Sequence, residues 1–115
     1  MVQLDSPRFD ASFAALSDAT RRGVVEHLWR GEASITELAE AFGMTLTGMK
    51  KHVAVLENAG LVTTEKVGRV RTCRLGPGRL EDEMQWLETY RRMWAARFSE
   101  LDLVIEEMKQ NEQAE

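Results

Sequence analysis

Residues Ser34 to Leu61, SITELAEAFGMTLTGMKKHVAVLENAGL, limit what this chain can fold into more than any other stretch. Ser34 opens an S-x-x-E capping box, with Glu37 placed to reach back to the cap N–H. Leu38, Ala39 and Phe42 supply an apolar stripe, and Gly43 stands where a left-handed residue would end a helix. Thr45 is then the N-cap of a second helix closed by Gly60. Within it Leu46, Met49, Val53 and Leu56 follow one another at helical spacing and would form the buried face. The spacing therefore predicts a helix-turn-helix over residues 34–60.

The other side of the second helix would carry Thr45, Thr47, Gly48, Lys50, Lys51 and Ala54, with no carboxylate before Glu57. A small, polar and cationic face of this kind suits a helix lying against phosphates and base edges in a major groove. The competing reading is a pair of ordinary amphipathic helices in a bundle.

Upstream, Phe9, Phe13 and Leu16 recur at helical spacing and predict a first helix over 9–16, after Pro7. Asp18 would cap a second helix, DATRRGVVEHLWRG, burying Val24, Val25, Leu28 and Trp29 and ending at Gly31. Arg21 and Arg22 fall in its first turn, where positive charge opposes the helix dipole by a few tenths of a kcal/mol. Either a nearby anion such as a DNA phosphate or an Arg22–Glu26 ion pair would account for them. His27 lacks a companion ligand and is expected to be solvated or partly packed. Downstream, Val62–Val67 and Val70–Leu75 are Val- and Thr-rich and flank Gly68-Arg69, the signature of a β-hairpin over 62–75. Lys66, Arg69, Arg71 and Arg74 would make its exposed side cationic; the alternative is solubilising charge on an edge strand. Gly76-Pro77-Gly78 should then break the chain.

From Leu80 to Gln110 no Gly or Pro interrupts a helical pattern. Leu80, Met84, Leu87, Trp94, Phe98, Leu101, Ile105 and Met108 form a near-heptad stripe, widened by Trp86, Tyr90 and Met93. At ~1.5 Å per residue such a helix spans ~45 Å, more apolar length than one small core covers. Part of it should bury against a second copy of the chain, two-fold pairing being the commonest solution. Leu87, Tyr90, Trp94, Phe98, Leu101 and Ile105 are the expected interface, with Phe9 and Phe13 of the first helix contributing.

The 115 residues suffice for one small domain, 1–115, mainly α with a small β-hairpin. The net charge of −4 is unevenly spread: residues 80–115 carry 4 basic and 10 acidic side chains, whereas 45–79 carry 7 and 2. Phosphate attraction is screened over ~10 Å, so the local excess governs and the total does not veto nucleic-acid binding. The single cysteine, Cys73, excludes an internal disulfide and a Cys-rich zinc site. No segment approaches the ~20 apolar residues of a membrane span, and MVQLDSPRFD does not read as a signal peptide. A cytoplasmic protein without membrane contact is expected. No Ser/His/Asp grouping, paired carboxylates or phosphate-cradling Gly loop points to an enzyme, and no cofactor is implied.

The order of parts resembles the ArsR-type winged helix-turn-helix transcriptional regulators over roughly Phe9 to Met108. The likeness rests on Asp18-Ala19-Thr20-Arg21, on Glu37-Leu38-Ala39, on HVAVLENAGLV with His52, Leu56 and Gly60, and on VGRVRTCRL. It implies a homodimer that binds a two-fold-related DNA operator and represses transcription. Thr45, Thr47, Gly48, Lys50, Lys51, His52, Arg69, Arg71 and Arg21 are then the expected DNA-contacting residues. His52 could instead pack behind its helix. Two departures stand out: Lys50 and Ala54 occupy places where the family often has Ser and a basic residue. The first helix of the motif also has no thiol, and the C-terminal helix no histidine, which sets the chain beside the non-metal-sensing members. A small-molecule effector would be of a chemistry that the sequence leaves open. The rival readings are a protein-docking winged helix that does not bind DNA specifically, and a redox sensor built on Cys73, whose neighbours Arg71 and Arg74 would lower its pKa.

Overall fold

A computed structural model describes residues 6–78 and 80–114. The elements are α1 (Ser6–Leu16), α2 (Ala19–Trp29), β1 (Ala33–Ser34), α3 (Ile35–Ala41), α4 (Leu46–Asn58), β2 (Val62–Val67), β3 (Val70–Leu75) and α5 (Glu81–Ala114). They divide into a compact unit that ends at Leu80 and the long helix that begins at Glu81.

In the first unit the caps do what their chemistry predicts. Asp18 Oδ2 accepts from the Arg21 N–H at 3.1 Å, and Ser34 Oγ accepts from Glu37 N–H while Glu37 reaches back to the Ser34 N–H. Helix α3 closes on a left-handed Gly43 (φ 63°). There Gly43 N–H donates to Glu40 O and Met44 N–H to Ala39 O, the paired bonds that satisfy the last carbonyls of a helix. Gly60 ends α4 in the same way, with Leu61 N–H reaching Leu56 O. Helix α1 starts at Ser6, ahead of Phe9, because Pro7 is tolerated in a first turn where its missing N–H has no partner to lose.

The core joins Val24 and Leu28 of α2, Leu38 and Ala39 of α3, and Met49, Val53 and Leu56 of α4 beneath Leu61, Val62 and Cys73. Burying each large side chain stabilises the unit by roughly 1.5–3 kcal/mol. Gly23 allows α2 to come close: a Cβ there would stand 2.7 Å from the Phe42 ring. Two residues expected inside lie outside. Trp29, in the last position of α2, is 69% exposed, and Leu46 is 43% exposed because the first turn of α4 projects beyond the packed surface.

The expected two-stranded hairpin is part of a three-stranded antiparallel sheet in the order β1-β3-β2. Ala33 and Ser34 pair with Cys73 and Thr72, and β2 pairs with β3 from Val62↔Leu75 to Val67↔Val70. Gly76 and Gly78 do not simply interrupt the chain. Gly76 N–H donates to Leu61 O at 2.9 Å and Gly78 N–H to Gly60 O at 3.1 Å. A Cβ on either would lie 2.6 Å from Gly60 O, so only glycine permits this docking.

The second unit is one uninterrupted helix of 34 residues, about 51 Å at 1.5 Å per residue. It runs to Ala114, beyond the expected end near Gln110, and Asn111 to Ala114 hold their helical turns. Trp86, Tyr90, Trp94 and Phe98 form a ladder along it, with successive ring centroids 5.8, 6.1 and 5.7 Å apart. Arg91 binds Glu88 through two N–H groups and holds its carboxyl below the usual range, a surface pair worth little to stability. No helix of the described residues is long and apolar enough to cross a membrane.

Candidate nucleic-acid interface

Helix α4 presents two different sides. Met49, Val53 and Leu56 are buried, which turns Thr47, Lys50, Lys51 and Ala54 to solvent, joined by Leu46 and a part-exposed Val55. Thr45 Oγ1 accepts from the Gly48 N–H at 3.0 Å, and its own hydroxyl proton remains available to a further acceptor. Gly48 is half-buried rather than outward-facing. A Cβ there would meet Thr45 Oγ1 at 3.1 Å and the Met44 methyl at 3.4 Å, so the glycine keeps the turn tight.

The wing turns at Gly68 (φ 64°) and Arg69, with Val67 and Val70 paired and exposed on either side. Its cations fall into two groups. Arg74 is taken up by Glu32 at 2.9 Å and Glu65 at 3.5 Å. Arg71 donates to Thr64 Oγ1 at 2.8 Å, and Thr64 donates in turn to Glu57 Oε2 at 2.9 Å, tying the wing to the end of α4. That relay also engages the one carboxylate on α4. Among the described residues, Lys50, Lys51, Lys66 and Arg69 make no ion pair within 4 Å.

The Arg21 side chain is engaged within the protein. Its Nε donates to Ala15 O at 2.8 Å and its Nη2 to Ala14 O at 3.0 Å, while Nη1 lies 3.3 Å from His52 Nδ1. Arg22 Nη1 donates to Leu16 O at 2.8 Å. Both cations thus reach the carboxyl end of α1 rather than Glu26. The last carbonyls of α1 carry the negative end of that helix dipole, and Ala14 O also accepts from Ser17. His52 packs partly against this corner, 4.0 Å from Asp18 Oδ2. The Asp18 carboxyl is held below its ordinary pKa, first by the Arg21 backbone N–H.

Cys73 is fully buried at the centre of the sheet. Burial pushes its thiol up to about 11, with the Glu57 carboxylate adding to the effect and Arg71 opposing it only weakly. The thiol is therefore neutral near pH 7, the opposite of the activation a redox sensor needs.

On α5, Leu87, Tyr90, Trp94, Phe98, Leu101 and Ile105 are all more than 40% exposed in the single chain. Trp86, Met93, Val104 and Met108 extend the same surface. On α1, Phe9 and Phe13 meet edge to face at 6.1 Å, with Phe13 partly exposed. Among the described residues no three His, Cys, Asp or Glu side chains gather into a metal-binding group.

A family profile described as a helix-turn-helix domain matches residues 16–65, from the end of α1 into β2. The HTH-type transcriptional regulator YuzN of Bacillus subtilis is 34% identical over 87 residues, 69% of this chain and 95% of that protein. The HTH-type transcriptional regulator Rv2034 of Mycobacterium tuberculosis is 35% identical over 68 residues, 59% of this chain. That match spans 64% of Rv2034, just under two thirds of its length. In three dimensions the chain is similar to the crystal structure of an ArsR family transcriptional regulator, RHA00566. The TM-score is 0.75 and the identity 38%, over 83% of this chain and 97% of that one.

Proposed function

Because the chain belongs to the ArsR family of winged helix-turn-helix transcriptional regulators, we propose that it acts as a homodimer that sets α4 of each protomer into a major groove of an inverted-repeat operator. The observation that carries this reading is the solvent side of α4. Two lysines without ion-pair partners stand there beside Thr47 and Ala54, and Glu57 is engaged by Thr64.

Lys50, Lys51 and Thr47 meet base edges or phosphates, and the Thr45 hydroxyl donates to a phosphate at the start of the helix. Lys66 and Arg69 at the wing add contacts to the backbone that are independent of sequence, and Arg71 offers its remaining N–H groups from beside Thr64. The second copy covers the apolar side of α5. A contiguous aromatic and aliphatic surface of that length is what an interface core looks like when cut in half. Repression follows from operator occupancy. Among the described residues no three His, Cys, Asp or Glu side chains gather into a cluster for a metal signal.

The test is a hydroxyl-radical footprint on the DNA upstream of the protein's own coding region. Two protected patches centred about one helical turn apart, ~34 Å, on a two-fold-related sequence are expected. Uniform protection at every concentration would count against an operator-binding regulator.

A further inference from the structure

Arg21 joins three elements of the first unit. Its side chain closes the end of α1 through the Ala14 and Ala15 carbonyls, its backbone N–H is held by the Asp18 carboxylate that caps α2, and its third guanidinium nitrogen faces His52 on α4. A guanidinium has donors only, so a hydrogen bond to His52 Nδ1 requires that nitrogen to be an acceptor.

We propose that Arg21 is a positioning residue for DNA binding. It latches α4 to the α1–α2 corner through His52 and sets the placement of the groove-entering helix without itself touching DNA. This rests on the reading that α4 meets DNA. The geometry favours a latch over a phosphate contact because three of the five guanidinium N–H groups already face protein acceptors on α1 and α4. A planar fork is needed to reach all three at once, and a lysine cannot replace it. Loss of the latch frees α4 to sample placements that do not fit the groove. The apparent affinity then falls by the fraction of time that the fitting placement is lost.

The experiment titrates wild-type protein, Lys51→Ala, Arg21→Lys, Arg21→Ala and His52→Phe against a duplex of the upstream DNA at several salt concentrations. Side-chain ¹⁵N spectra of the free proteins are recorded alongside. Lys51→Ala is the control for the interface: losing two phosphate contacts per dimer should make the log–log salt slope shallower by about 1.8. An unchanged slope and affinity in that variant would mean that α4 is not the DNA-contacting face, and the interface reading would fail.

With that control satisfied, Arg21→Lys and Arg21→Ala are expected to bind about tenfold more weakly with the wild-type slope. The His52 Nδ1 resonance should move in both, because both remove the guanidinium that faces it. His52→Phe keeps the ring and removes the acceptor. It should weaken binding in the same sense, and adding Arg21→Lys to it should cost little more. A slope shallower by about 1.8 in the Arg21 variants would make Arg21 a direct phosphate contact. Unchanged affinity, or fully additive losses in the double variant, would likewise overturn the latch. Should Arg21→Ala fail to fold, Arg21→Lys and His52→Phe decide the matter.

Discussion

Replacing Phe98 with Ala asks how much of the assembly rests on α5. Phe98 is 56% exposed in the single chain. Of a side chain that can bury about 200 Å², roughly 110 Å² is therefore open to a partner. At about 25 cal/mol per Å² its complete coverage is worth about 3 kcal/mol, and two-fold symmetry counts it twice, for about 5–6 kcal/mol per dimer. If the partner covers only half of that area, the change still comes to about 3 kcal/mol, or a hundredfold in the dimer dissociation constant. Sedimentation equilibrium over a range of micromolar concentrations measures that constant for the wild type and for Phe98→Ala. The expected outcome is a dimer weakened at least about a hundredfold, with the far-ultraviolet spectrum of the first unit retained. Identical dissociation constants would refute the claim that this side of α5 is the interface.

Three further outcomes follow from the first unit. Gly78→Ala places a Cβ 2.6 Å from Gly60 O, closer than Cβ atoms approach a carbonyl oxygen; thermal unfolding should show a loss of about 1–3 kcal/mol, or several degrees in melting temperature. Ser34→Ala removes the capping-box acceptor and should cost about 1 kcal/mol in denaturant unfolding, with the cooperativity of the transition unchanged. The Cys73 thiol is raised in the folded state from 9.0 to about 11, so the folded protein holds its proton more tightly than the unfolded chain. Its contribution is complete below pH 9 and is lost as pH rises toward 11, amounting to roughly 2–3 kcal/mol. Cys73→Ala should flatten that alkaline limb of the stability curve.

What was legible in the sequence was local. The capping box at Ser34, the cap at Thr45, the ends at Gly43 and Gly60 and the turn at Gly68 are each decided by a few neighbouring residues, and each forms in the structure as its chemistry requires. The uninterrupted pattern after Leu80 likewise specified one long helix. What was not legible depends on distant partners. Strand β1 is two residues long, too short for any periodicity, and exists because β3 lies beside it.

Burial at the ends of helices also escaped the pattern. Trp29 and Leu46 keep the helical spacing of their neighbours, yet sit on terminal turns that outrun the core. The cations are the most instructive case. Arg21, Lys51, Arg71 and Arg74 look alike in a sequence, but carbonyls of α1, a threonine and two glutamates claim three of them. A charge conflict in the first turn of α2 was visible at Arg21 and Arg22, and the sequence offered a DNA phosphate or Glu26 to resolve it. The packing of α1 instead sets both guanidinium groups against backbone carbonyls, which no local pattern reveals.

The most direct test of the account is the affinity of the protein for its own upstream DNA, followed by anisotropy from low to physiological salt beside a scrambled duplex. Four cations without ion-pair partners on α4 and the wing, doubled in the dimer, predict tight selective binding at two protomers per site. The log–log salt slope should lie between about −4 and −7, according to how many of them meet phosphates rather than bases. Equal affinity for the scrambled duplex, or a slope near zero, would contradict the assignment of this surface to DNA.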